Sequence, residues 1–68
     1  MYAEVLVQYG VKALDRQFTY KIPINLTNDL QVGMKVLVPF GTMTINGFVI
    51  KIKNETDQDN LKEIIEIT

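Results

Sequence analysis

The chain has 68 residues and a formal net charge of −1, with 47% hydrophobic residues and neither cysteine nor histidine. This length predicts one domain, and because folding at this size buries only about 60% of the unfolded surface, the core must be compact. The two missing residue types argue against disulfides, zinc or haem sites and histidine-based acid–base catalysis. An apolar run of roughly 18 residues and a signal-peptide layout are both missing, which predicts a cytoplasmic protein without a membrane span.

Charge divides the chain into two parts. Residues 1–54 hold six basic and three acidic side chains, whereas residues 55–68 hold five acidic side chains and Lys62 alone. A mildly basic body favours an anionic partner only weakly, because an ordinary solvated surface gives the same pattern.

Two strands are predicted in the first third of the chain. Residues 2–9 alternate in polarity, which is typical of a half-buried strand, and residues 11–17 form a connecting loop. Residues 18–22 alternate in the same way and end at Pro23, because proline donates no hydrogen bond to a sheet. The residues predicted to face the core are Ala3, Val5, Val7, Tyr9, Phe18, Tyr20 and Ile22.

Three further strands follow a loop at residues 24–34. Residues 35–39 and 43–53 alternate strongly, and Gly47 inside the second of these predicts a bulge or a sharp bend. The last segment, residues 61–68, fits strand or helix by pattern, and its β-branched isoleucines favour a strand. The residues predicted to line or cap the core here are Leu26, Leu30, Val36, Val38, Phe48, Ile50 and Ile52.

Five short strands with polar turns predict an all-β fold. Small sheets avoid exposed edges by curling into a barrel, and Gly47 would permit the curl. We therefore predict a single domain over residues 1–68, a small five-stranded barrel of the OB-like kind. An SH3-like barrel is the alternative that the sequence does not separate from it.

The sequence predicts a binding module and not an enzyme. It contains no glycine-rich phosphate loop, no nucleophile with a base and no metal-ligand spacing. Candidate contacts are aromatic side chains, which stack on bases, and lysines, which pair with phosphates. Core packing is the default for most of the aromatic residues, but Phe40 follows Pro39 at a strand end. Gly41 beside it takes positive φ easily and lets another molecule approach the backbone.

Three blocks in chain order carry a family resemblance: AEVLV (3–7), LDRQFTYKIP (14–23) and VGMKVLVPFGTMTINGFVIKI (32–52). They resemble the N-terminal domain of the primosomal replication-restart helicases, the PriA family, and the ending LKEIIEI is also in place. The resemblance covers nearly the whole chain. It implies an OB-like barrel that holds the 3′ end of the nascent leading strand at a stalled replication fork. By the same resemblance, the chain is an N-terminal fragment of a much larger superfamily 2 DNA helicase.

The resemblance also implies a site. The family's pocket for the terminal nucleotide falls on Phe18, Thr19, Gly41 and Lys62, and the Pro39-Phe40-Gly41 corner would form one wall. Implied partners are DNA, forked or single-stranded with a free 3′ end, other domains of the same helicase and primosome proteins, but no membrane. ATP, Mg and Zn are implied only for parts of the full-length helicase outside this chain. Further candidate contacts, to backbone phosphates, are Arg16, Lys35, Lys51 and Lys53.

Thr19 departs from the family pattern, in which Asp commonly follows the aromatic residue, and Gln17 stands where Pro is common. A neutral hydroxyl forms weaker hydrogen bonds than a carboxylate, which predicts weaker or less selective capture of a 3′ end. The alternative function is a protein-interaction or scaffolding barrel, because such barrels offer aromatic grooves and sheet edges to peptides. Salt-sensitive binding of single strands would favour the DNA-binding prediction, since phosphate contacts release counterions.

Overall fold

The structure is a computed structural model that describes residues 1–9 and 16–68. The predicted end of the first strand at Gly10 and most of the predicted loop at 11–17 lie outside these residues. No helix in the described part of the chain is long and apolar enough to cross a membrane. The elements are β1 (Tyr2–Val7), β2 (Gln17–Lys21), a 3₁₀ helix (Ile24–Leu26), β3 (Lys35–Phe40), β4 (Met43–Lys53) and β5 (Glu66–Ile67).

The five strands form one antiparallel sheet in the order β2-β1-β4-β3-β5, which confirms the all-β prediction. The longest strand, β4, is central and pairs with β1 on one side and β3 on the other. Strands β3 and β4 are joined by the two-residue turn Gly41-Thr42. Gly41 has φ +61°, the backbone sign that tight hairpin turns require at this position and that glycine adopts without strain.

The C-terminal segment connects the two edges of the sheet. The Lys21 backbone N–H donates to the Lys62 carbonyl at 2.9 Å, and the Ile64 N–H donates to the Lys21 carbonyl at 3.0 Å. The next residue, Ile65, donates to the Leu37 carbonyl at 2.8 Å before β5 pairs with β3. The sheet is thus not closed by a continuous ladder, but residues 62–67 join β2 to β3 and give the compact, barrel-like OB form that was predicted.

The core lies inside this curled sheet. Val36 and Val38 are fully buried, as are Ala3, Val5 and Val7 on β1. The two loop leucines also contribute as predicted, since one is buried and the other packs against the core. The buried apolar residues are Ala3, Val5, Val7, Tyr20, Ile22, Leu30, Val36, Val38, Val49 and Ile64.

The predicted facing of β4 was wrong around its middle. Val49 is buried, whereas Phe48 is half-buried and Ile50 is exposed on the opposite face. The cause is a register shift in the β1–β4 pairing between Glu4 and Val5, which leaves Ile50 as the extra residue of a bulge. After the bulge the alternation resumes in the other phase. Tyr9 was also placed wrongly in the core, since it lies beyond the end of β1 and is exposed.

Tyr20 ties two distant strands together inside the core. Its hydroxyl donates to the Pro39 carbonyl at 2.8 Å, which links β2 to the end of β3. Burial raises the pKa of Tyr20 above its ordinary value of 10.0. The folded protein therefore holds this proton more tightly than the unfolded chain does.

Tyr20→Phe should lower the free energy of unfolding by about 1–2 kcal/mol, because the Pro39 carbonyl loses its partner. The raised pKa of Tyr20 makes the difference in the free energy of unfolding between the two proteins depend on pH. The stabilisation by the Tyr20 hydroxyl is fully present below pH 10 and declines above it, since the unfolded chain releases the proton first. Urea unfolding of both proteins between pH 8 and 11 measures this. A wild-type advantage that stays constant over the whole range would contradict the assignment.

Candidate nucleic-acid interface

A cleft of about 250 Å³ lies between β2, the β3–β4 turn and the start of the C-terminal segment. The three walls come from parts of the chain that are far apart in sequence, and the backbone hydrogen bonds between Lys21 and the C-terminal segment hold two of them together. The residues that line the cleft are Phe18, Thr19, Tyr20, Pro39, Phe40, Gly41, Asn60, Leu61 and Lys62.

Aromatic rings form one side of the cleft. The ring centroids of Phe18 and Phe40 are 5.4 Å apart at an interplanar angle of 75°, an edge-to-face contact. The Tyr9 ring is tilted by 39° against that of Phe40, also at a centroid distance of 5.4 Å. Such contacts are favourable geometries for aromatic pairs and fix both phenylalanine rings in place. The cleft therefore offers a preformed apolar surface on which a flat base could stack.

Lys62 supplies the one cation among the described residues that line the cleft. The Lys62 ammonium donates a hydrogen bond to the Gly41 carbonyl at 3.3 Å, and both residues are exposed. A Cβ built on Gly41 would meet nothing within 4 Å, so the space in front of this glycine is open. The arrangement places an exposed positive charge beside an accessible stretch of backbone, which suits a phosphate or a sugar hydroxyl.

The structure brings together all four residues on which the family's pocket was predicted to fall. Phe18, Thr19, Gly41 and Lys62 line the same cleft, and the Pro39-Phe40-Gly41 corner forms one of its walls as expected. Among the described residues no acidic side chain lines the cleft, because Thr19 stands where the family commonly has Asp. Lys62 is therefore the one ionised side chain of the described lining residues.

Sequence reasoning missed three of the lining residues, namely Tyr20, Asn60 and Leu61. Asn60 has φ +60°, a left-handed conformation that asparagine tolerates better than most residues. Its place in the polar loop before Leu61 gave a signal for a turn, but nothing local indicated that this turn faces β2.

The four cations predicted to contact backbone phosphates do not line the cleft. Arg16 is exposed just before β2, and the three lysines lie on the sheet. The Lys53 ammonium forms an ion pair with the Glu4 carboxylate at 3.3 Å. These cations therefore belong to another part of the surface than the cleft.

A zinc site of the usual kind does not fit these residues. The sequence holds no cysteine or histidine, and within residues 1–9 and 16–68 no three potential metal-ligating side chains come together. The resemblance implies ATP, Mg and Zn only for parts of the full-length helicase outside this chain.

Comparison with known families identifies the family of this chain. The family described as the 3′ DNA-binding domain (3′BD) of PriA matches residues 4–68. The chain belongs to this family. Because this family is described as a DNA-binding domain, the match favours the DNA-binding prediction over a protein-interaction barrel.

Curated relatives agree with this assignment. The chain is similar to the replication restart protein PriA of Bacillus subtilis, with 41% identity over 97% of this chain and 8% of that protein. It is also similar to the replication restart protein PriA of Treponema pallidum, with 37% identity over 79% of this chain and 9% of that protein. A probable replication restart protein PriA of Mycobacterium leprae is 35% identical over 71% of this chain and 7% of that protein. The chain thus spans less than a tenth of these relatives. No solved structure matches it significantly.

Proposed function

We propose that the cleft binds the 3′-terminal nucleotide of a DNA strand. The observation that carries this proposal is the convergence of Phe18, Thr19, Gly41 and Lys62, from three separate segments, on one cleft of about 250 Å³. This volume is below the ~300–1,000 Å³ of sites for drug-sized ligands, so it suits one nucleotide and not a longer segment.

Each part of the cleft has a role in this proposal. The terminal base packs on the aromatic side formed by Phe18 and Phe40, a contact that every base can make and that requires no particular sequence. The Lys62 ammonium donates a hydrogen bond to the last phosphate, either in place of its hydrogen bond to the Gly41 carbonyl or in addition to it. The open space at Gly41 admits the terminal sugar, and Thr19 hydrogen-bonds with the base or the 3′-hydroxyl.

The relatives, which are named replication restart proteins, support a proposal for the wider setting. We propose that this module captures the 3′ end of the nascent leading strand at a stalled fork within a cytoplasmic superfamily 2 DNA helicase. Other domains of that helicase and primosome proteins would be its protein partners. The catalytic work of the helicase, with its ATP, Mg and Zn, would reside outside these 68 residues.

The proposal is tested by an NMR titration with two dinucleotides that differ only at the end, one with a 3′-hydroxyl and one with a 3′-phosphate. We expect backbone amide shifts to concentrate at the cleft residues Phe18, Gly41, Leu61 and Lys62. Shifts scattered over the lysines with either ligand, or no shifts at all, would contradict end binding in the cleft.

Thr19→Asp provides a matched arm of the same titration. A carboxylate beside the terminus strengthens hydrogen bonding to a 3′-hydroxyl and repels a 3′-phosphate. We therefore expect the dinucleotide with a 3′-hydroxyl to bind more tightly to this variant and the dinucleotide with a 3′-phosphate to bind more weakly. A selectivity change of about tenfold corresponds to one charged contact. Equal effects of the substitution on both strands would argue that Thr19 does not contact the terminus.

A further inference from the structure

The sheet has a second charged surface, on the side away from the core. Directly opposed residues of an antiparallel pair point to the same face, and Tyr2 is opposite both Lys21 and Lys53. In the same way, Lys51 is opposite Glu4. We call this side the outer face, and the lysines it presents are Lys21, Lys35, Lys51 and Lys53.

Register places Lys35 on the outer face as well. Phe48 is opposite Leu6 on one side and Lys35 on the other, and all three alternate with buried neighbours. Among the described residues, four lysines therefore share this face with three acidic ones, namely Glu4, Glu63 opposite Lys21, and Glu66 on the edge strand β5. Most of the positive charge of residues 1–54 is thus gathered on one face.

One aromatic side chain of the outer face lies between two of these lysines, and a second lies beside another lysine. Tyr2 separates Lys21 from Lys53 within one row across three strands, a span of two strand spacings or about 10 Å. Phe48 is half-buried next to Lys35. Stacking rings within a positively charged track are the features by which proteins bind single-stranded nucleic acid without sequence preference.

The outer face is continuous with the cleft. Thr19 lines the cleft, and its place opposite Glu4 puts it in the same row as Lys51, about two strand spacings away. A strand that leaves the cleft over Thr19 therefore passes Glu4, whose carboxylate pairs with Lys53, before it reaches Lys51. The acidic residues of the loop at 55–59 directly precede the cleft residue Asn60 in sequence.

We propose that the outer face binds the sugar-phosphate backbone of a single DNA strand over the nucleotides that precede its 3′ end. The inference rests on the proposed function, since it uses the cleft as the anchor of the terminal nucleotide. Lys35 and Lys51 are exposed and neutralise phosphates, whereas Glu4 reduces the attraction by pairing with Lys53. Strand length and salt concentration are then the variables that control affinity.

The test measures affinity for 3′-hydroxyl strands of two, four and eight nucleotides between 50 and 200 mM salt. We expect affinity to rise with length, and the double substitution Lys35→Gln/Lys51→Gln to remove most of that rise without weakening dinucleotide binding. It should also lower the salt slope of the eight-nucleotide strand by about 1.4, because each phosphate contact to a single strand contributes about 0.7. Lys35→Arg/Lys51→Arg, which keeps both charges, is the control and should behave like wild type.

Glu4→Gln tests the same surface in the opposite direction. Removing the carboxylate frees Lys53, so the eight-nucleotide strand should bind roughly two- to fivefold more tightly at low salt while the dinucleotide is unaffected. Because misfolding would lower the affinity, a gain of affinity in Glu4→Gln cannot be explained by a folding defect.

The outcomes separate the two proposals. Suppose that the dinucleotide binds in the cleft, but that neither strand length, nor Lys35→Gln/Lys51→Gln, nor Glu4→Gln changes the affinity. Binding by the outer face is then refuted, and binding of the 3′ end in the cleft stands. If the long strand binds through the lysines while the dinucleotide fails to bind, end binding is refuted and the outer face stands as a general strand-binding surface. Equal affinity for a blunt eight-base-pair duplex at the same salt would overturn the preference for a single strand.

Discussion

Gly47→Val is expected to unfold the domain. A Cβ at this position would lie 2.5 Å from the Val5 Cγ1 and 2.9 Å from the Leu6 carbonyl oxygen, and the second of these is backbone in the adjacent strand. Overpacking of a tight site costs about 1–3 kcal/mol and more where the backbone must move. A domain of this size has a total stability of roughly 3–10 kcal/mol, at about 0.05–0.15 kcal/mol per residue, so the loss is a large fraction of it.

Thr44→Val is the matched control, because it introduces the same branched side chain at an exposed position of the same strand. Urea unfolding followed by circular dichroism compares the two. We expect the control to stay within about 0.5 kcal/mol of wild type and the Gly47 variant to show little or no folded baseline. Gly47→Ala should fall between them, and combining it with Val5→Ala should restore part of the loss. Two valine variants of equal stability would show that the space at Gly47 is not limiting.

Lys62→Ala should produce the largest loss of DNA binding. The Lys62 ammonium is the single ionised group among the lining residues, and a hydrogen bond to a charged group contributes about 1.5–3 kcal/mol. Affinity for a dinucleotide with a 3′-hydroxyl should therefore fall by roughly 10- to 150-fold. Stability should change little, because the side chain is exposed and the Lys62 carbonyl that pairs with Lys21 is retained.

Lys21→Ala separates a local effect from a general loss of charge. Lys21 is bonded through its backbone to the same segment as Lys62, but its side chain does not line the cleft. Isothermal titration with the dinucleotide should give nearly wild-type affinity for this variant. If both alanine variants lost affinity equally, Lys62 would act through the overall charge of the protein and not through a contact in the cleft.

Alternation of polarity was sufficient to predict much of the fold. A strand with one buried face has a period of two, and this period correctly assigned the inward residues of β1 and β3 and the bounds of β4. The same rule failed around Phe48 because one extra residue in β4 changes the phase. That bulge is defined by the pairing with Glu4 and Val5, more than forty residues earlier, so the strand's own sequence does not reveal it.

The cleft was predictable only in part for a related reason. Phe18, Thr19, Gly41 and Lys62 were assigned from a family resemblance, and the residues alone indicated no more than an open glycine after a strand end. Their convergence depends on the Lys21 bridge to the C-terminal segment, a non-local pairing between short, irregular pieces. Leu61 and Asn60 were overlooked because a turn carries no local mark of the strand that it faces.

Residues 62–67 bridge β2 and β3 and also carry one wall of the cleft, so the stability of this bridge is coupled to binding of the nucleotide proposed for the cleft. If this segment detaches, the edge strand β2 loses its bridge, β3 loses its outer neighbour and the cleft loses the wall that carries Lys62, all in one opening event. A nucleotide held between the walls opposes that opening by mass action. If the cleft binds a strand end as proposed, we expect occupancy of the cleft and local rigidity of the C-terminal segment to rise and fall together.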